Sequence, residues 1–185
     1  MWDSGKKEYQ CRMDALKPYF KQGKLVDSKE IVTVLAKAIR SGDRVCLEGD
    51  NQKQADFLAK ALTQLDPKII NGLRMVQSAI ELPEHLDLFE KGIAASIDFS
   101  FAGPQSVRLS NMVEKNKISI GNIHTYNELY ARLVMDLTPN VCLLVAEQAD
   151  YAGILYTGAN TEDTPALIEA VTFKNGIEIV QANEL

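Results

Sequence analysis

A short polar turn between two apolar segments is the part of this 185-residue sequence best suited to bind a ligand. The apolar segment Val45–Leu47 ends at Glu48 and runs into the turn Gly49–Gln54, and an amphipathic stretch follows directly. A strand that ends near a glycine and turns quickly into a helix presents free backbone N–H groups, backed by the positive end of the helix dipole. Such a turn suits a phosphate, a carboxylate or the oxyanion that develops during acyl transfer.

The side chains of this turn narrow the chemistry of its ligand. Asp50 is a poor neighbour for a phosphate, whereas Asn51, Gln52 and Gln54 donate and accept hydrogen bonds without adding charge. They fit an amide-rich ligand arm or a thioester oxygen. In the alternative, Asn51 only caps the helix and the glutamines are solvated. The sequence contains no Walker lysine pattern and no G-x-G-x-x-G, which gives little support to a nucleotide-binding fold.

Titratable side chains near the predicted turns are the next candidates. Glu48 would act as a nucleophile or a base if it were desolvated, but a structural role, in which its carboxylate holds the neighbouring turn, is favoured. His124 is a candidate proton donor to a leaving group; in the alternative, its ring is hydrogen-bonded to the local backbone. His85 follows Pro83 closely and is expected to be exposed in the first turn of a helix.

The rest of the chain alternates between extended and helical patterns, which would position these residues. Thr125–Glu128 is a capping box, and Pro83, Gly103-Pro104 and Thr164-Pro165 each open a helix. Val141–Val145 is apolar throughout, which indicates a strand buried on both faces. The predicted strands cover residues 45–47, 73–76, 94–101, 118–120, 141–145, 154–156 and 177–180.

This alternation predicts an α/β fold with an open, mainly parallel sheet, right-handed crossovers and helices on both faces. In such sheets ligands bind beyond the carboxyl ends of the strands, so the predicted polar turns share one edge, here called the candidate rim. These turns are Gly49–Gln54, Gln77-Ser78, Gly103–Gln105 and Gly121–Thr125. No residue of the rim is assigned a catalytic role, and the sequence shows no metal-ligand spacing. The candidate substrate-binding residues are Gly49, Asp50, Asn51, Gln52, Gln54, Gln77, Ser78, Gly103, Gly121, Asn122, His124 and Asn160.

Composition and charge bound the class of protein. A chain of 185 residues that is 46% hydrophobic can bury one sizeable core, and a net charge of -5 gives no basic footprint for nucleic acid. Residues 1–60 are mildly basic, with 12 Lys and Arg against 9 Asp and Glu, which fits either an acidic partner or a solvated helical face. Three separated cysteines, no signal peptide core and no membrane-length apolar run predict a cytoplasmic protein without a membrane span.

Six segments, in this order, together resemble the malonate decarboxylase alpha subunit family. Agreement runs from about Trp2 to the last residue, and one departure is Asp50, where the family pattern has Asn. Several long motifs in the right order make the resemblance specific. The segments are Leu47–Leu58 (LEGDNQKQADFL), Met75–Ser78 (MVQS), Leu82–Leu86 (LPEHL), Asp98–Gln105 (DFSFAGPQ), Gly121–Tyr126 (GNIHTY) and Tyr156–Pro165 (YTGANTEDTP).

The resemblance implies a class I CoA-transferase type fold built from two similar α/β halves. It implies a reaction in which acetate is exchanged for malonate on the thioester of an acyl carrier protein, whose prosthetic group derives from dephospho-CoA. The turn Gly49–Gln54 would line the pantetheine arm or the acyl oxygen. The nucleophilic glutamate of related transferases lies in the second half and is assigned to no residue here.

The resemblance also shapes the predicted domain organisation and partners. Residues 1–26 are a lead-in segment and residues 27–185 a single domain, together the amino-terminal half of a longer subunit that is inactive when isolated. Its partners would be the carrier protein, the other decarboxylase subunits and the carboxy-terminal half of the same subunit. CoA itself is a further candidate ligand, and no tightly bound cofactor is expected.

Two other readings stay open at this point. The first is a domain without catalytic function that docks the carrier protein or serves as a scaffold, for which the basic residues of segment 1–60 provide a surface. The second is a small-molecule enzyme, such as a sugar-phosphate isomerase, on a similar fold, because a fold does not fix a function.

Overall fold

The computed structural model describes residues 2–49, 53–158 and 163–184. Its strands are β1 (Arg44–Leu47), β2 (Leu73–Ala79), β3 (Ala94–Phe101), β4 (Ser119–Ile123), β5 (Val141–Ala149), β6 (Leu155–Tyr156) and β7 (Ile177–Glu184). Its helices are α1 (Trp2–Leu16), α2 (Ile31–Ala38), α3 (Asp56–Leu62), α4 (Pro83–Glu90), α5 (Ser106–Glu114), α6 (Tyr126–Met135) and α7 (Thr164–Phe173). Short 3-10 turns cover Lys17–Tyr19, Ser28–Glu30 and Gly103–Gln105.

The strands form one seven-stranded, mainly parallel sheet, which confirms the predicted architecture. Strands β4, β3, β2, β1 and β5 follow one another across the sheet and pair in parallel. Strand β7 pairs in parallel with β5, and the short β6 pairs antiparallel with its end. Because parallel strands point the same way, the carboxyl ends of β1 to β5 meet at one edge of the sheet, as the candidate rim requires.

Helices cover both faces of the sheet, as predicted. Val45 and Leu47 of β1 belong to a core cluster that includes buried side chains of α2, α3, α4 and α5. Cys46 points to the opposite face and packs in a second cluster with side chains of α6 and α7. Alternate side chains of β1 therefore pack into two separate apolar layers, one on each face of the sheet.

The first six residues of strand β5 are buried, which confirms the prediction made from its unbroken apolar run. They run from Val141 to Ala146. Burial raises the pKa of the Cys142 thiol well above its usual range, so this cysteine is an unreactive part of the core. Cys11, Cys46 and Cys142 are all free thiols.

The amino-terminal segment contains a 15-residue helix, α1, that the sequence analysis does not predict. Arg12 anchors it, since its side chain is only 3% exposed and its guanidinium contacts both carboxylate oxygens of Asp43, at 2.6 and 3.0 Å. The same group donates to the carbonyl oxygen of Ala38 at 2.7 Å. The arginine thus connects α1 to the end of α2 and to the turn before β1. The domain boundary at residue 26 stays a prediction.

His85 is fully buried, so the expectation of an exposed residue is wrong. Pro83 opens α4, as predicted, but the turn of this helix directs His85 and Leu86 into the core, and both are 0% exposed. Neither ring nitrogen of His85 has a hydrogen-bond partner. Burial disfavours the charged imidazolium and lowers the pKa of His85 to about 4.

Replacing His85 with leucine is expected to weaken the dependence of the free energy of unfolding on pH under acidic conditions. The unfolded histidine titrates near its ordinary pKa of 6.5 and the folded one near 4, so the unfolded state binds more protons in this interval. The free energy of unfolding should therefore fall by about 1.4 kcal/mol per pH unit as the pH decreases through it. Urea unfolding of the wild type and of His85→Leu across the interval measures this contribution. Equal slopes for the two proteins would contradict it.

Candidate functional site

Glu48, the first residue after β1, lies at the centre of a buried polar network. Its carboxylate accepts hydrogen bonds from the Thr164 hydroxyl, from the Lys53 ammonium at 3.1 Å and from the Val145 backbone N–H at 2.6 Å. Glu48 is 4% exposed, and the side chain of Lys53 is 10% exposed. The Lys53 ammonium also lies 2.6 Å from the Thr164 hydroxyl oxygen, which closes the network.

These contacts favour the structural role for Glu48 over a catalytic one. Its carboxylate connects three elements, because Val145 lies in β5, Thr164 begins α7 and Lys53 belongs to the turn before α3. A buried carboxylate that accepts three hydrogen bonds, one of them from an ammonium, is stabilised as a hydrogen-bond acceptor and is a poor free nucleophile. We therefore assign Glu48 to holding the rim together.

The turn after β1 is anchored at both of its ends. The backbone N–H of Ala55 donates to the Glu48 carbonyl at 3.1 Å, and that of Ala79 donates to the Gly49 carbonyl at 3.3 Å. The side chain of Gln54 folds over Gly49 so closely that a Cβ atom there would collide with its amide oxygen. A larger residue at position 49 would therefore have to displace the Gln54 amide from the turn. Asp50, Asn51 and Gln52 lie outside the described residues.

Gln77 and Ser78 lie inside a strand, because β2 extends three residues beyond its predicted end at Val76. Ser78 is half-buried, and its hydroxyl donates a short hydrogen bond to the Asp163 carboxylate next to the start of α7. Gln77 is 1% exposed, and neither its amide nitrogen nor its amide oxygen has a hydrogen-bond partner. Adjacent strand residues point to opposite faces, so the side chains of Gln77 and Ser78 lie on opposite sides of the sheet.

A second polar group is centred on the ends of β3 and β4. Strand β4 extends to Ile123, so Gly121 and Asn122 lie in the strand and not in the predicted turn after it. The Asn122 amide donates to the carboxylate of Asp98, which is 5% exposed, at 3.0 Å. A Cβ atom at Gly121 would collide with the same carboxylate. The carboxylate of Asp98 thus packs against Gly121 and is held by the Asn122 amide.

His124 follows β4 and is 3% exposed. Its Nδ1 atom lies 2.7 Å from the Ser100 hydroxyl oxygen, and its Nε2 atom has no hydrogen-bond partner. Burial lowers the pKa of His124, and the nearby Asp98 carboxylate only partly opposes this shift. The ring is therefore neutral at physiological pH and is suited to donate or accept one hydrogen bond at Nε2, not to act as a cationic acid.

Of the two remaining predicted site residues, the structure describes Gly103 but not Asn160. Gly103 adopts a left-handed conformation, with φ of +51°, and a Cβ atom there would collide with the Glu81 carboxylate. The amide of Gln105 donates to the carbonyl oxygen of Glu81 at 3.3 Å. Asn160 lies outside the described residues, so its predicted place on the rim stays a prediction.

The structure thus brings the predicted residues together as two groups along the carboxyl edge. One comprises Gly49, Gln54 and Gln77 around the turn after β1, and the other comprises Asn122 and His124 at the β3–β4 end. Sequence analysis missed several buried or half-buried residues around these groups: Lys53 and Thr164 contact Glu48, Asp163 contacts Ser78, Asp98 contacts Asn122 and Ser100 contacts His124. Asp98 and Ser100 could have been found, since together with Ser96 they are polar residues at alternate positions of β3 and therefore share one face. No group of metal-ligating side chains occurs among the described residues.

A cavity of about 450 Å³ lies at the opposite edge of the sheet, between α1 and the turn before β7. Its lining includes Arg12, Asn140 and Lys174. Arg12 is bound to Asp43, and the Lys174 ammonium donates to the Thr138 carbonyl at 3.1 Å. Because these cations are already engaged, we assign no ligand to this cavity.

Replacing Glu48 with glutamine is expected to destabilise the fold by about 3 kcal/mol, because the buried Lys53 ammonium loses its carboxylate partner. Urea unfolding measures this loss. The matched control is Asp14→Asn, which neutralises one partner of the exposed Asp14–Lys17 pair and should cause a much smaller change. Similar losses for the two variants would show that the Glu48 network does not hold the rim.

Comparison with known proteins identifies the family. A family model described as malonate decarboxylase, alpha subunit, transporter matches residues 1–185. Acetyl-S-ACP:malonate ACP transferase of Malonomonas rubra is 49% identical over 185 residues, which is 100% of this chain and 33% of that protein. This chain therefore spans about a third of the length of that relative.

Solved structures agree with this match. A malonate decarboxylase alpha subunit from Acinetobacter baumannii superposes with a TM-score of 0.96 at 49% identity, over 100% of this chain and 34% of that one. A Pseudomonas malonate decarboxylase hetero-tetramer in complex with malonate gives a TM-score of 0.96 at 49% identity, over 99% and 33%. The AibA/AibB decarboxylase, at 17% identity and a TM-score of 0.61, shares the fold alone. The chain belongs to the malonate decarboxylase alpha subunit family.

Proposed function

We propose that this chain is the amino-terminal part of a transferase that exchanges acetate for malonate on an acyl carrier thioester. Acetyl-S-carrier and malonate would give malonyl-S-carrier and acetate. The observation that carries the proposal is the 49% identity, across all 185 residues, with a protein named for this exchange. The class I CoA-transferase type of fold belongs to the same proposal, and the parallel sheet with helices on both faces is compatible with it.

The geometry of the rim supports a site for an uncharged thioester arm. Gln54 and Gln77 provide neutral amides beside the turn after β1, and the ring of His124 is neutral. The two charges of Glu48 and Lys53 compensate each other within the network. A neutral arm with amide and thioester oxygens loses less hydration free energy on entering such a site than a phosphate does. The predicted substrate-binding residues remain proposals for this role.

The chain's own residues would bind and orient the acyl group without forming a covalent bond to it. Backbone N–H groups at the turn after β1 and the Nε2 atom of His124 are candidate donors to the thioester oxygen, which gains negative charge during acyl transfer. Glu48 is already bound by Lys53 and Thr164, so the nucleophilic carboxylate is proposed to come from the part of the subunit that this chain does not span.

The partners follow from the same proposal. They are the acyl carrier protein, with its dephospho-CoA-derived prosthetic group, and the other decarboxylase subunits, since a solved relative is part of a hetero-tetramer. A cytoplasmic location is supported by the three free thiols, which fit a reducing compartment. Among the residues that the structure describes, no helix is both long and apolar enough to cross a membrane.

The exchange reaction tests the proposal. We expect the assembled decarboxylase that contains this chain to transfer labelled malonate onto an acetylated carrier protein, and Gln54→Ala to slow the transfer by about tenfold or more. Gln64→Ala, at an exposed position just beyond α3, is the matched control and should leave the rate unchanged.

Two outcomes would contradict the proposal. Carrier binding without any exchange by the wild-type complex would favour the docking role. Unchanged rates for both Asn51→Ala and Gln54→Ala would remove the turn after β1 from the mechanism, even if exchange were observed.

A further inference from the structure

The side-chain amide of Gln77 has no hydrogen-bond partner inside the protein. It is 1% exposed, and both its Nε2 and its Oε1 atoms are unpaired. A buried donor or acceptor without a partner destabilises the folded state, and Gln77 contributes two such atoms. Buried polar groups of this kind usually have a function or a missing partner.

The position of Gln77 connects this amide to the turn after β1. Val76 pairs with Cys46 in the parallel β1–β2 register, so Gln77 lies one residue beyond this pair, beside the end of β1. Two residues further, the Ala79 backbone N–H donates to the carbonyl oxygen of Gly49. By strand alternation Gln77 shares its face with Met75, on the side of the sheet covered by α2 to α5.

The two buried histidines with unpaired ring nitrogens do not share this position. His85 lies on α4, and its backbone N–H bonds only the neighbouring Leu82 carbonyl. The Nε2 atom of His124 is at the β3–β4 end, next to Ser100. Gln77 is the one of the three that lies in the strand beside β1, next to the turn.

We propose that Gln77 pairs with both amide groups of the pantetheine arm, the N–H of one donating to Oε1 and the carbonyl oxygen of the other accepting from Nε2. This assignment rests on the proposed function, since it assumes that the arm enters at the turn after β1. It makes Gln77 a binding residue that fixes the depth to which the arm enters, while the thioester itself reacts elsewhere along the rim.

The chemistry of Gln77 favours an amide over the other groups of the two substrates. A malonate carboxylate accepts from Nε2 but leaves Oε1 facing a negative oxygen, which is repulsive. A thioester has no donor for Oε1. Only a group with a donor near an acceptor satisfies both atoms at once, and the N–H of one amide of the arm together with the carbonyl of the next provides that pair.

A replacement that separates stability from activity tests the assignment. Gln77→Leu removes two unpaired polar atoms from the core, so its melting temperature should equal or exceed that of the wild type. In the assembled complex, kcat/KM for S-acetylpantetheine should fall by about tenfold, whereas kcat/KM for S-ethyl thioacetate, which has no amide, should not change. Met75→Leu, on the same face of β2, is the matched control and should leave kcat/KM unchanged for both thioesters.

A direct measurement keeps this inference separate from the proposed function. Addition of pantetheine to the nitrogen-15 labelled chain should shift the side-chain NH2 signals of Gln77, identified by their absence in Gln77→Leu. Shifted signals without any exchange by the wild-type complex would support the amide pairing and refute the transferase proposal.

The opposite outcomes overturn the inference. If exchange occurs but Gln77→Leu lowers kcat/KM equally for both thioesters, or for neither, the pairing is refuted and the transferase proposal stands. A lower melting temperature for Gln77→Leu, together with unshifted Gln77 signals, would show that the amide is satisfied by a buried water molecule and has only a structural role.

Discussion

The buried carboxylate of Glu48 is the interaction on which the carboxyl edge of this protein depends. Its three donors come from the turn after β1, from β5 and from the start of α7, elements that are up to 116 residues apart in the sequence. Backbone pairing alone aligns β1 with β5 but does not position α7. Because the carboxylate and the Lys53 ammonium are both nearly excluded from water, neither is stable there without the other, and the edge assembles as one unit.

This assembly allows the edge to carry polar groups that the fold itself does not satisfy. The amide of Gln77 and the Nε2 atom of His124 are buried without partners at this edge, whereas the core on both faces of the sheet consists mainly of apolar side chains, with the unpaired His85 of α4 as an exception. Folds tolerate such groups where stability has been exchanged for function. Their concentration at the ends of β2 and β4 makes this edge, and not the cavity beside α1, the candidate site.

The sequence was sufficient for the fold because the signals that set it are local. Apolar runs, the capping box at Thr125 and the proline that opens α4 predict elements without knowledge of their neighbours. The site was harder to predict because its geometry depends on tertiary contacts. Strands β2 and β4 continue through polar residues, since Gln77 and Asn122 are supported by adjacent strands. Helical spacing does place His85 on the face of Leu88 and Phe89, but its polar type argued for exposure. The contact between Arg12 and Asp43 likewise joins residues 31 positions apart.

The charges of the edge also indicate what this chain does not supply to the proposed reaction. Malonate carries two negative charges, and its binding requires cations that are not neutralised by nearby carboxylates. Lys53 is committed to Glu48, His124 is held neutral by burial, and Arg132 at the β4 side is paired with Asp136 at 2.6 Å. The described part of the edge therefore favours the neutral thioester arm. On the proposed function, this chain would hold the arm, and the nucleophilic carboxylate and the cations that bind malonate would come from the rest of the subunit.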